Sequence, residues 1–228
     1  MGEFLRREQV VFALNHFVFY ISYMKKIIVF AIAMALLAAC GKKQDSSFVD
    51  PRDEQKYRTV KIGNLVWMAQ NLNFGTGSSH CLNDDSANCD KYGSLYTWHD
   101  AVEACPEGWK LPANEDWENL INEAGGSIAG KKLKAKTGWA NKKNGTSGNG
   151  TDDFGFEALA GGYGSIDEMG DLAQSMGTGS YANWWTATKF GLSWFVQSES
   201  DDMQESDFSD SGETTSIYSV RCVQASAN

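Results

Sequence analysis

"YTWHDAVEACPEGWKLPANEDWENL" (residues 96–120) packs three tryptophans, a histidine, a cysteine and six carboxylates into one short stretch. Such a mixture suits either a catalytic site or the scaffold of a fold, and periodicity separates the two. Leu95, Trp98, Val102 and Cys105 recur at three- and four-residue spacing, which predicts a helix with these side chains inward and His99, Asp100 and Glu103 outward. Pro106 lacks the amide hydrogen a continuing helix needs, and with Gly108 it ends the element. A second helix is expected after Pro112, with Asn114 as N-cap and Trp117, Leu120, Ile121 and Ala124 on its buried face. Gly125-Gly126 stop it. Trp98 and Trp117 therefore fall at core positions and most carboxylates at solvent positions. The stretch reads as scaffold.

Upstream, "YRTVKIGNLVWMAQNLNF" (residues 57–74) alternates Val60, Ile62, Leu65 and Trp67 around Gly63-Asn64. Both turn residues accept positive φ, so two strands joined by a tight turn are expected. Downstream, residues 137–179 are rich in Gly, Asn, Ser and Thr around "NKKNGTSGNGTDDFGFEALAGGYG". That is long for a structureless loop, and Trp139, Phe154, Phe156 and Tyr163 are expected to order it by packing inward. "ANWWTATKFG", "LSWFVQSES" and "SIYSVRCVQ" then read as three strands, the last two separated by the solvated acidic loop "ESDDMQESDFSDSGE". No repeat of 20 to 50 residues is evident. The fold class is α+β, with two helices flanking small antiparallel sheets.

The N-terminal part has a different character. From Met24 the chain reads "MKKIIVFAIAMALLAAC": two lysines, an apolar run, then small residues before Cys40. This is the pattern of an export signal, and the run is short for a membrane span of roughly 20 residues. Leu37, Ala38, Ala39 and Cys40 resemble the lipobox of bacterial lipoproteins, which makes Cys40 the expected lipidated first residue, anchored in a lipid bilayer of the cell envelope, the outer membrane above all. Residues 1–23 precede a signal that has its own methionine and are read as translation assigned from too early a start codon. The expected organisation is a leader over residues 1–39, a polar tether over 40–56 and one domain over 57–228.

Removing the leader's four basic and two acidic side chains from the chain's 20 and 29 leaves a net charge of −11. So acidic a domain repels nucleic acid and anionic lipid, and its lysine clusters are small. Five cysteines are an odd number for an exported chain, which lipidation of Cys40 explains. Cys81, Cys89, Cys105 and Cys222 remain for two disulfides. Cys81 and Cys89 flank the short polar loop "CLNDDSANC", and their pairing would leave Cys105 to Cys222 to close a loop worth about 4–5 kcal/mol.

"YGSLYTWHDAVEACPEGWKLPANEDWENL", "GTDDFGFEALAGGY", "WWTAT" and "SVRCV" follow one another in an order that resembles the Fibrobacter succinogenes major paralogous domain, a family of exported bacterial proteins. The resemblance spans residues 57–223. It implies a variant of the C-type lectin fold, in which a cysteine ending the first helix bonds one in the final strand. Cys105 and Cys222 occupy those places. Ala113 stands where a serine cap is expected, and the Glu-Pro-Asn and Trp-Asn-Asp triplets that hold calcium in sugar-binding C-type lectins are not present as such.

Catalysis has little to build on. His80 and His99 are the only histidines after the leader, His99 is expected on the helix surface, and no G-x-S-x-G, H-E-x-x-H or Walker pattern occurs. Calcium is the one cofactor to consider, since Asn83, Asp84, Asp85 and Asn88, and above all Asp152 and Asp153, offer oxygen ligands. Trp139, Tyr163, Tyr181, Trp184 and Trp185 are the candidate ligand-binding aromatics of the long-loop face. The expectation is a non-enzymatic, membrane-tethered module outside the cytoplasm that recognises a polysaccharide or surface protein through that face. The alternative is a structural or adhesion component of the envelope with no small ligand.

Overall fold

A computed structural model describes residues 46–208 and 215–225. The leader, Cys40 and residues 209–214 of the acidic loop lie outside the described residues. Within them are two sheets and four helices: α1 (Ser86–Tyr92), α2 (Trp98–Ala104), α3 (Asn114–Ala124) and α4 (Ala129–Leu133). No helix among the described residues is long and apolar enough to cross a membrane.

The first sheet has four antiparallel strands in the order β1 (Ser46–Val49), β2 (Lys56–Ile62), β3 (Leu65–Met68) and β11 (Val223–Ala225). The β2–β3 turn is the one expected. Ile62 pairs with Leu65, and Gly63 takes φ 59 at no steric cost. The expected tether is corrected, since residues 46–56 belong to the fold. β1 pairs along its whole length with β2, and the connection is fixed by Asp50, whose buried carboxylate accepts from the Arg52 amide, Nε and Nη2 at 3.0, 2.9 and 2.7 Å. Burial pushes the Asp50 carboxyl up, but the paired guanidinium more than offsets this and holds it below the usual carboxylate range. Arg52 also stacks 3.7 Å over the Phe74 ring.

The second sheet has seven strands. β6 (Leu172–Met176), β5 (Tyr163–Ile166), β10 (Ser216–Ser219), β7 (Tyr181–Trp185), β8 (Leu192–Gln197) and β9 (Gln204–Asp207) lie in that order, and β4 (Leu95–Tyr96) pairs with β10. It is larger than expected and is not wholly antiparallel, because β10 runs parallel to β7. "SIYSVRCVQ" is two strands in two sheets, β10 and β11. The acidic loop is also corrected: β9 lies inside it, and its first half is held by the protein. Lys134, fully buried, donates from Nζ to Gln197 O at 3.0 Å and Ser200 O at 2.7 Å. Gly130 of α4 leaves room for the Asp202 carbonyl, which a Cβ would meet at 2.1 Å.

The helix at 96–120 starts later than its periodicity implied. Thr97 caps α2, its Oγ1 accepting from the Asp100 amide, and Leu95 sits in β4. With Leu95 off the helix the buried face rotates: Ala101 and Ala104 are inside and Val102 is exposed. α3 is buried through Trp117, Leu120 and Ala124 as expected, but its N-cap is Ala113 rather than Asn114. The Asp116 carboxylate accepts from the Ala113 amide at 2.8 Å, which is half of a capping box. Gly125 ends α3 with φ 105.

Trp67, Trp117, Phe156 and Trp184 form the centre of the core, with ring centroids 4.9 Å apart for Trp67–Trp117 and 5.7 Å for Trp117–Trp184. A charge sits among them. Arg221 is fully buried, stacks 4.3 Å over Phe156, and donates Nε and Nη2 to Asn71 Oδ1 at 3.0 and 2.7 Å and Nη1 to Phe156 O. Burial pulls its proton affinity down to about 9, still well above neutrality. Cys81 is bonded to Cys89 and Cys105 to Cys222, the two expected pairings.

Candidate functional site

Alternation along β7 sends Ala182 and Trp184 into the core under α3, and Tyr181, Asn183 and Trp185 to the other face of the seven-stranded sheet. Antiparallel register sets Phe195 opposite Asn183 and Gln197 opposite Tyr181, and β9 adds Gln204 opposite Phe195. One end of this face is covered. Trp185 donates from Nε1 to Tyr96 O at 2.7 Å and stacks on Tyr218 at 4.3 Å. The other end is open. There Tyr163 and Tyr181 meet edge to face at 6.2 Å, and Tyr181 lies 6.4 Å from Phe195, all three only partly buried. Gly177 fits between the tyrosines, where a Cβ would meet Tyr181 at 3.0 Å and Tyr163 at 3.3 Å.

Polar groups border this aromatic strip. Gln197 Nε2 donates to Gln204 Oε1 at 3.3 Å. Asn183, only 7% exposed, has a buried Oδ1 that accepts no hydrogen bond among the described residues. An unmet buried carbonyl costs about 1–3 kcal/mol, and this one lies on the same sheet face as the partly buried rings.

Of the five candidate aromatics, the structure brings only Tyr163 and Tyr181 to an accessible surface. Trp139, Trp184 and Trp185 are corrected to core residues at 5%, 0% and 0% exposure, and each indole N–H is satisfied internally: Trp139 by Ala158 O, Trp184 by Asn71 Oδ1, Trp185 by Tyr96 O. Asp152 Oδ1 accepts from the Glu157 amide at 2.9 Å, and the Asp153 amide donates to Lys132 O. Among the described residues no three His, Cys, Asp or Glu side chains stand together as a metal site. In the Cys81–Cys89 loop, Asp85 caps α1 by accepting from the Ala87 amide. His80 Nε2 is 3.0 Å from Gly170 O, and His99 packs against the Trp98 and Phe190 rings. Phe195, Asn183, Gln197 and Gln204 were not singled out from the sequence. The alternation of "LSWFVQ" could have flagged Phe195 as Trp194's opposite-facing neighbour, but only strand register shows what it faces.

Residues 60–224 match the model of the Fibrobacter succinogenes major domain. The chain belongs to this family. No curated protein and no solved structure matches the chain. In this major domain the matched segment begins inside β2, so β1 and the Asp50–Arg52 clasp precede it. The aromatic strip and Asn183 fall within it.

Proposed function

We propose that this Fibrobacter succinogenes major domain is a non-enzymatic binding module that recognises a glycan through the open end of its seven-stranded sheet. The observation that carries the reading is the partly exposed Tyr163–Tyr181–Phe195 strip beside the unmet Asn183 carbonyl. Aromatic faces cover the apolar C–H faces of sugar rings, and amides satisfy the hydroxyls at their edges. Lipidation of Cys40 would hold the module on the envelope. The helix-to-final-strand bond Cys105–Cys222 supports a C-type lectin-like fold, but fold kinship alone assigns no ligand.

The test is a binding screen of the purified protein against soluble and insoluble polysaccharides, once with calcium and once with EDTA. A glycan is expected to bind saturably, and Tyr181→Ala and Tyr163→Ala to weaken it about two- to tenfold each, the loss of one stacking contact. Retention of full affinity in both variants would show that the sheet face is not the site. Calcium-dependent binding would direct attention to Asp152 and Asp153.

A further inference from the structure

A cleft of about 210 Å³ opens between the start of β2, the segment after β3, the end of α1 and the loop carrying Glu157. None of Tyr163, Tyr181 and Phe195 lines it. Drug-sized ligands fill roughly 300 Å³ or more, so this cleft suits one small polar unit.

Its amides are turned to donate. Gln70 Oε1 accepts the Arg58 amide at 2.8 Å and Asn73 Oδ1 accepts Ser94 Oγ at 3.0 Å. Both oxygens are thus engaged, and neither NH2 group has a partner among the described residues. Behind the floor, Asn71 Oδ1 holds the Arg221 guanidinium, a buried positive charge bonded to carbonyl oxygens and to no carboxylate. Arg58 and Lys91 add cations to the wall, against Asp90 and Glu157. A buried cation whose hydrogen-bond partners are all neutral favours an anion nearby, and the charges of Glu157 and Asp152 already act on this one.

Glu157 supplies one from within the chain. It pairs with Arg58, 99 residues away in sequence, and its backbone is held at φ 51, a left-handed conformation uncommon for a non-glycine residue. The two side chains are 48% and 39% exposed. Ion pairs this exposed hold by a factor of about five at most, so another carboxylate can displace Glu157.

We propose that this cleft binds a small organic carboxylate, whose oxygens take the place of Glu157 on Arg58 and accept from the NH2 groups of Gln70 and Asn73. The site is separate from the sheet face and does not depend on it.

The experiment is an NMR titration of the ¹⁵N-labelled protein with sodium D-glucuronate, sodium acetate and glucose. Glucuronate is expected to shift the amide signals of Arg58, Gln70 and Asn73 saturably, while glucose leaves them in place. Equal binding of acetate would identify the carboxylate as the whole determinant, and tighter glucuronate binding would add the sugar ring to it. Glu157→Gln removes the internal competitor and should tighten binding up to about fivefold. Arg58→Gln should abolish the shifts in a protein whose remaining spectrum is unchanged, and Lys91→Ala should weaken them. No saturable shift with either acid in both the native protein and Glu157→Gln would overturn the proposal, as would shifts that persist in Arg58→Gln. Tyr181→Ala should leave this titration unaltered, so failure here and failure at the sheet face are distinguishable.

Discussion

A single amide oxygen, Asn71 Oδ1, receives three donors: Trp184 Nε1 at 2.8 Å, Arg221 Nε at 3.0 Å and Arg221 Nη2 at 2.7 Å. Removing it leaves the buried guanidinium with only its bond to Phe156 O and takes the partner of a buried indole as well. Asn71→Ala is therefore expected to cost about 3 kcal/mol or more in urea unfolding. Asn71→Asp keeps the acceptor and should cost less, and a loss below about 1 kcal/mol for the alanine variant would mean the core does not depend on this bond. At this scale the sequence was informative about residue type and weak about direction. Trp184 and Trp185 are neighbours on a strand and must point to opposite faces, so alternation alone allows at most one of these two candidates to face the same core as α3. Both are buried because α3 covers one face while Tyr96 and Tyr218 cover the other. Asn71 and Arg221 carried no signal: nothing in "SVRCV" tells an interior arginine from a solvated one.

Two elements invite direct tests. α3 begins at Ala113, which lacks the side-chain oxygen that would accept from the third-position amide. Ala113→Ser completes the capping box with Asp116 and should stabilise the protein by about 1 kcal/mol, read as a raised urea midpoint. The β1–β2 connection depends on Asp50, whose folded pKa lies below the ordinary 3.8. A depressed carboxylate contributes stability that is fully present above the unfolded value and is lost as pH falls through the folded one. The stability gap between the native protein and Asp50→Asn should thus be constant from about pH 7 to 5 and close below about pH 4. A gap that stayed open in acid would show that the Arg52 pairing is not its source. The β2–β3 hairpin and α3 were legible because turn chemistry and helical period are local. β1, β4 and β9 were not, since four, two and four residues are too few to show a period, and their existence depends on the partner strand each one meets.

For the whole molecule, the disulfides differ in reach. Cys81–Cys89 spans 8 residues and Cys105–Cys222 spans 117. Loop-closure entropy assigns them about 2.6 and about 4.9 kcal/mol, so replacing the long-range pair with Ser should destabilise the protein more than replacing the short one. Equal losses would indicate that local packing, not chain entropy, governs both. The α+β class and the long bond were legible from the order of motifs, whereas the sizes of the two sheets were not, because the final strands divide between them. That division also has a temporal side. β10 lies between β5 and β7, β11 completes the other sheet, and Cys222 stands between them as half of the long bond. Synthesis from the N-terminus delivers all three after the other strands. Until residues 216–225 have left the ribosome, neither sheet can close and the long bond has no partner. The strands already made therefore wait on one short segment, and the order of synthesis itself delays both sheets and the long bond.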